Sequence, residues 1–168
     1  MLVTQLIRLL QMLGLVALQV LVMNHIHLLG YATPLIYVAF LLYFPMNVSR
    51  VEILLWSFAL GLIIDIFSNT LGIASSAMTL AGMIRPPLLA AMASRDAVDN
   101  MKPNYHTMGW WTHARFILIL VLVHHITYFA LESFSFFNLV DLGISCASST
   151  LLSLLIIYTL EIFRIPRS

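Results

Sequence analysis

Apolar runs of membrane-crossing length recur from one end of this 168-residue chain to the other, and its eight Lys and Arg residues lie at or near the ends of those runs. Few folds accept such a pattern. In hydrocarbon every backbone N–H and C=O must be paired inside the protein, so long apolar runs fold as spanning helices. With 61% hydrophobic and only 9% charged residues, the chain is not an ordinary soluble domain, in which about 25% of residues are charged. The predicted fold class is an all-α integral membrane protein, a six-transmembrane-helix bundle forming one domain over 1–168. A single cysteine, Cys146, excludes an internal disulfide and a multi-thiolate metal site. Arg8 is followed by an apolar run without a convincing small-residue cleavage site, which predicts a retained first span rather than a removed signal peptide.

At roughly 20 apolar residues per crossing, the spans fall at about 5–24, 29–46, 51–68, 71–92, 112–132 and 139–163. Span 2 is short and bracketed by Pro34 and Pro45, and it is expected to lean on interfacial Tyr31, Tyr37 and Tyr43. The break between spans 3 and 4 is the turn-forming run from Ser68 to Gly72. With the N-terminus inside, all eight basic residues lie in or beside the inner segments: the N-terminus, 47–50, 93–111 and the C-terminus. The outer connections, 25–28, 69–70 and 133–138, have no Lys or Arg. The positive-inside rule then places both termini in the cytoplasm. Trp110 and Trp111 fit an interfacial belt at the start of span 5. No P-loop, nucleophile elbow or dinucleotide motif occurs, and the basic residues are too few for a nucleic-acid surface.

Ionisable residues inside the spans carry the functional question, because burying them is costly. Asp65 lies about 14 residues into span 3, roughly 21 Å from its inner end. Gly61, Asp65 and Asn69 recur at a spacing of four and share a helix face. Span 4 offers Gly72, Ser75, Ser76, Thr79 and Gly82, small residues that let helices approach closely. This predicts a tight hairpin of spans 3 and 4, with Asp65 held by Asn69, backbone N–H groups or the hydroxyls of span 4. On that reading Asp65→Asn stays functional and Asp65→Leu lowers the protein's level in the membrane. Arg85, followed by Pro86 and Pro87, is expected to snorkel toward the inner interface from a kinked helix, or to meet an anionic lipid or partner there. His124 and His125 lie in span 5, with Tyr128 and Glu132 on the His124 face. One reading is a proton relay or metal site joining Asp65, His124 and Glu132; the other is a satisfied polar cluster that fixes packing. Adjacent histidines point about 100° apart on a helix and form no zinc-protease spacing, so no metal or cofactor is assigned. His25 and His27 are read as solvated, and the nine methionines as packing residues.

The run FALGLIIDIFSNTLGIAS at 58–75, the small-rich span 4 ending in Arg85-Pro86, and HHITYFALE at 124–132, together with length and topology, resemble the MreD family of rod shape-determining proteins. The resemblance covers essentially the whole chain, and Gly61, Asp65, Gly72 and Arg85 are the positions that carry over. It implies a non-enzymatic scaffold in the bacterial inner membrane that controls rod shape and lateral peptidoglycan synthesis. It also implies the bitopic protein MreC as partner, with RodA, a class B penicillin-binding protein and MreB linked through it, in contact with membrane lipid. The family's fold is similar to the substrate-binding subunits of energy-coupling-factor vitamin transporters. Transport of a vitamin is therefore the alternative function. Span 1 counts against it, because neither Gly14 nor Ala17 has a small residue four positions on. An intramembrane enzyme using Asp65, His124 and Glu132 is the third hypothesis.

Overall fold

The computed structural model describes residues 2–26, 32–92, 102–133 and 139–163. Its helices are α1 (Leu2–Leu21), α2 (Arg50–Ser68), α3 (Ile73–Met92), the single turn α4 (Tyr105–Met108), α5 (Trp110–Glu132) and α6 (Leu139–Phe163). Two 3-10 helices, Met23–His25 and Ile36–Tyr43, lie between α1 and α2. No strand occurs among the described residues. Among the described residues, four helical stretches are long and apolar enough to cross a membrane: Leu2–His25, Arg50–Ser68, Trp110–Glu132 and Val140–Phe163. α3 has similar length, but its serines, threonine, Arg85 and two prolines make it less apolar.

The hairpin of α2 and α3 is built for close approach. Ser49 caps α2, its hydroxyl accepting from the Glu52 N–H. Asn69 ends α2 in the left-handed conformation (φ 54°), and Gly72 takes φ 81° before α3 begins. A Cβ on Gly61 would overlap the Cα of Ser75 and lie 2.7 Å from the Ala74 carbonyl oxygen. A Cβ on Gly82 would lie 2.5 Å from the Ser57 Oγ, a contact with side chain rather than backbone. α3 also packs along α5, so it is lined on two sides by other helices. Its buried residues, among them Ala74, Ala77, Met78, Ala81 and Arg85, occupy that double contact. Pro86 and Pro87 lie inside α3, which runs on through them to Met92.

The segment expected as span 2 differs most from expectation. Residues 29–31 lie outside the described residues, and the rest forms a 3-10 helix of eight residues at Ile36–Tyr43 rather than an α-helix. Every residue from Leu35 to Leu42, and Phe44, is buried. The segment touches α1, α3, α5 and α6, so it is the centre of the bundle and not a lipid-facing helix. Two physical causes favour this form. Pro34 and Pro45 bias the residues before them toward extended backbone, and Phe44 is extended (φ −80°, ψ 142°). A 3-10 helix also rises about 2.0 Å per residue against 1.5 Å, so a short run covers more depth. Tyr37, read as an interfacial anchor, is instead fully buried with its ring edge-on to His124 at 4.9 Å.

Around this core α1 is joined to α2 through Arg8, which is buried, pairs with Glu52 and lies over the Phe44 ring at 4.9 Å. Gln5 donates to the same carboxylate at 2.7 Å. Tyr158 on α6 donates to the Ala114 carbonyl of α5 at 2.6 Å. Trp110 and Trp111 are exposed, as is His25. His27 and most of the loop after α3 (93–101) lie outside the described residues.

The hairpin contact predicts opposite outcomes for two glycines. Gly61→Ala should lower thermal stability in detergent, since overpacking a close contact costs about 1–3 kcal/mol. Gly14, with nothing within 4 Å of an added Cβ, should tolerate alanine or gain up to about 1 kcal/mol of helix propensity. Equal unfolding temperatures for both variants and the parent would contradict the close approach.

Candidate functional site: a polar framework inside the bundle

A buried segment that is not an α-helix exposes backbone donors at its start and acceptors at its end. Here spanning helices supply both kinds of partner. At the start, the Thr33 N–H donates to Ser149 Oγ (3.0 Å), the Leu35 N–H to Ser153 Oγ (2.9 Å) and the Ile36 N–H to Gln19 Oε1 (2.9 Å). Gln19 Nε2 donates to the Pro34 carbonyl at 3.0 Å and to Asn24 Oδ1 at 2.9 Å. At the end, Arg85 Nε donates to the Leu41 carbonyl (2.8 Å) and Nη2 to those of Phe44 (2.6 Å) and Pro45 (3.2 Å). Arg85 is completely buried. The expectation that it snorkels to the inner interface is therefore corrected: its guanidinium fork holds three backbone carbonyls, a geometry that suits Arg.

His125 belongs to the same framework. Its Nδ1 lies 2.9 Å from the Val121 carbonyl and its Nε2 3.0 Å from Ser153 Oγ. A carbonyl only accepts, so Nδ1 carries the proton. Nε2 then accepts from the Ser153 hydroxyl, whose oxygen accepts from Leu35. His124 differs: both ring nitrogens are buried without a hydrogen-bond partner among the described residues. It packs between Tyr37 and, at 6.2 Å, the stacked ring of Tyr128.

Asp65 caps the next helix. Its Oδ1 accepts from the Thr70 hydroxyl (2.6 Å) and the Ala74 N–H (2.8 Å), and its Oδ2 from the Ser75 N–H (2.9 Å). A carboxylate at a helix N-terminus satisfies orphan N–H groups and complements the helix dipole. The Asn69 and Thr70 N–H groups both donate to the Asp65 carbonyl, so Asn69 acts through its backbone.

The residues of the postulated relay are thus not joined. Both oxygens of Asp65 are engaged by the α2–α3 turn, and no hydrogen bond links Asp65, His124 and Glu132 among the described residues. Nor does any group of three or more His, Cys, Asp and Glu converge there. Glu132 instead stands at the rim of a cavity of about 260 Å³. A second recess, about 360 Å³, runs along the outer face of α2 and α3 between Phe58, Ser75, Ser76, Thr79, Leu80 and Met83. Two of its three hydroxyls are turned into their own helix, Ser76 to the Gly72 carbonyl and Thr79 to the Ser75 carbonyl, both at 2.6 Å.

Sequence reasoning missed Gln19, Ser149, Ser153 and the Arg8–Glu52 pair. The available signals were a lone Gln inside LVALQVLVM and the serines of ISCASSTLLS. Compared with protein-family models, curated proteins and solved structures, the chain matches none.

Two substitutions test the framework. Asn at 65 places an N–H2 group against the Ser75 N–H, so Asp65→Asn should unfold at a lower temperature than the parent. Asp65→Leu should be worse, each orphaned donor costing about 1–3 kcal/mol. Arg85→Lys cannot bridge three carbonyls and should lose stability, with Arg85→Met losing more; yields and melting temperatures in detergent give both orders. Full stability of Arg85→Met would show that the carbonyls find other partners.

Proposed function

We propose that this chain is a non-enzymatic membrane scaffold of the MreD type, which binds the single membrane helix of a partner and so helps to control cell shape. The observation that carries this reading is the recess on the outer face of α2 and α3. Small residues there let a foreign helix approach closely, and hydroxyls already bonded to their own helix present little unsatisfied polarity to it. The buried ionisable groups support the same reading, since Asp65, Arg85 and His125 are committed to holding backbone.

The same reading has six crossings. α1, α2, α3, α5 and α6 provide five, and the buried segment the sixth. Its eight 3-10 residues cover about 16 Å at 2.0 Å per residue, with extended flanks on either side adding about 3.3 Å per residue. Such a chain has both ends on the cytoplasmic side of a bacterial inner membrane, as the distribution of basic residues implies. The expected partner is MreC, and through it RodA, a class B penicillin-binding protein and MreB. A six-span bundle of this kind is also the architecture expected of vitamin-transporter subunits.

Purification of the tagged protein from its native membrane in mild detergent, with mass spectrometry of its companions, tests the proposal. A single-span protein with a large extracytoplasmic domain, or cell-wall synthases, should travel with it. Thr79→Phe, which fills the recess, should reduce that recovery severalfold at an unchanged level of the scaffold. An ATPase pair with a membrane coupling subunit in place of these would move the chain to the transporter class.

A further inference from the structure

At the end of the bundle where α1 and α2 stop and α5 ends, a cavity of about 260 Å³ opens between Asn24, Thr33, Ser68, Thr70, Tyr128 and Glu132. That volume is ample for several waters or a small polar group. We infer that this cavity is a binding site for a primary ammonium group carried on a small polar head, either a lipid headgroup or a free amine.

Charge is the first argument. Glu132 is the acid of the lining, and it has no ion-pair partner among the described residues. No Lys or Arg is among the described residues that line the cavity. An anionic head would meet an uncompensated carboxylate; a cation would neutralise it. Hydrogen-bond capacity is the second argument. Thr70, one of the lining residues, spends its proton on Asp65, which leaves its oxygen as an acceptor only. Ser68 accepts from Asn24 Nδ2 at 3.0 Å, and Asn24 Oδ1 already accepts from Gln19. Beside the Glu132 carboxylate, the remaining lone pairs of these oxygens can accept hydrogen bonds, and an ammonium, with three N–H donors, is their complement. Shape supplies the third. Tyr128 and Phe129 both line the cavity, their rings 5.6 Å apart, and aromatic side chains beside a cation contribute to holding it. A quaternary ammonium would share the charge and the ring contact but could donate no hydrogen bond, so the site should discriminate against it.

The test uses the full chain in detergent, titrated with phosphatidylethanolamine, phosphatidylcholine and phosphatidylglycerol of one chain length, and with free ethanolamine and glucosamine, read by native mass spectrometry and thermal shift. Phosphatidylethanolamine should bind about tenfold more tightly than phosphatidylcholine, the size expected for a charge-assisted hydrogen bond. Glu132→Gln, a replacement of the same shape at an exposed position, should remove most of that preference. Ethanolamine or glucosamine competing as well as the lipid would assign the site to a free amine; their failure beside lipid binding would assign it to a headgroup. Equal binding of the choline or glycerol lipid, no binding of any amine, or an unchanged preference in Glu132→Gln would overturn the inference. The lipid comparison on the parent protein stands even if the variant does not fold. Partner capture can fail while amine binding holds, so this result is separable from the scaffold reading.

Discussion

The buried segment at 32–46 can exist only because other helices complete its backbone. Its 3-10 helix leaves donors open at one end and acceptors at the other, and every residue from Leu35 to Leu42 is buried. In such surroundings an unpaired amide or carbonyl costs several kcal/mol. Gln19, Ser149 and Ser153 meet the donors, and Arg85 meets the acceptors. The division follows chemistry: oxygens that accept stand at the start, and a cation with a planar fork stands at the end. The places of α1, α3 and α6 follow from it, since each must bring its polar residue to a set depth.

The α2–α3 hairpin shows a second use of the same rule. Asp65 belongs to α2 but caps α3, so the end of one helix completes the beginning of the next. That geometry requires nearly touching backbones, which Gly61 permits. A left-handed Asn69 and a positive-φ Gly72 turn the chain within the space left. Small residue, acid and turn therefore act as one device, and none can be read separately.

Much of this was legible because hydropathy and spacing report on single helices. α2, α3, α5 and α6 begin and end within two residues of the positions expected from apolar runs and turn residues. The link between Gly61, Asp65 and the start of α3 was visible as a repeat of four followed by a turn. What could not be read was pairing between distant segments. Arg85 appeared free to snorkel because its partners, the carbonyls of Leu41, Phe44 and Pro45, are backbone atoms about 40 residues away and carry no side-chain signature. Gln19 was lost in the average hydropathy of its run. The 29–46 stretch reads as an apolar span, but composition does not distinguish a lipid-facing α-helix from the buried 3-10 segment found at Ile36–Tyr43.

Sorting the polar groups by whether their capacity is spent gives the functional argument its direction. Asp65, Arg85, Gln19, His125 and Ser153 point inward and are occupied by backbone or by one another. Mutating them changes whether the bundle forms, so loss of function there says little about what the protein contacts. Near the surface, capacity that remains available lies at Glu132 and its cavity, and close-approach surface at the α3 recess; inside the bundle, both His124 nitrogens and Arg85 Nη1 also have no hydrogen-bond partner among the described residues. At Glu132, Ser76 and Thr79 these two places are less constrained by the fold, since no hydrogen bond from those side chains to another element occurs among the described residues. A contact with lipid, partner helix or small molecule can therefore be changed there without dismantling the core, which makes them the positions where function and stability can be separated by mutation.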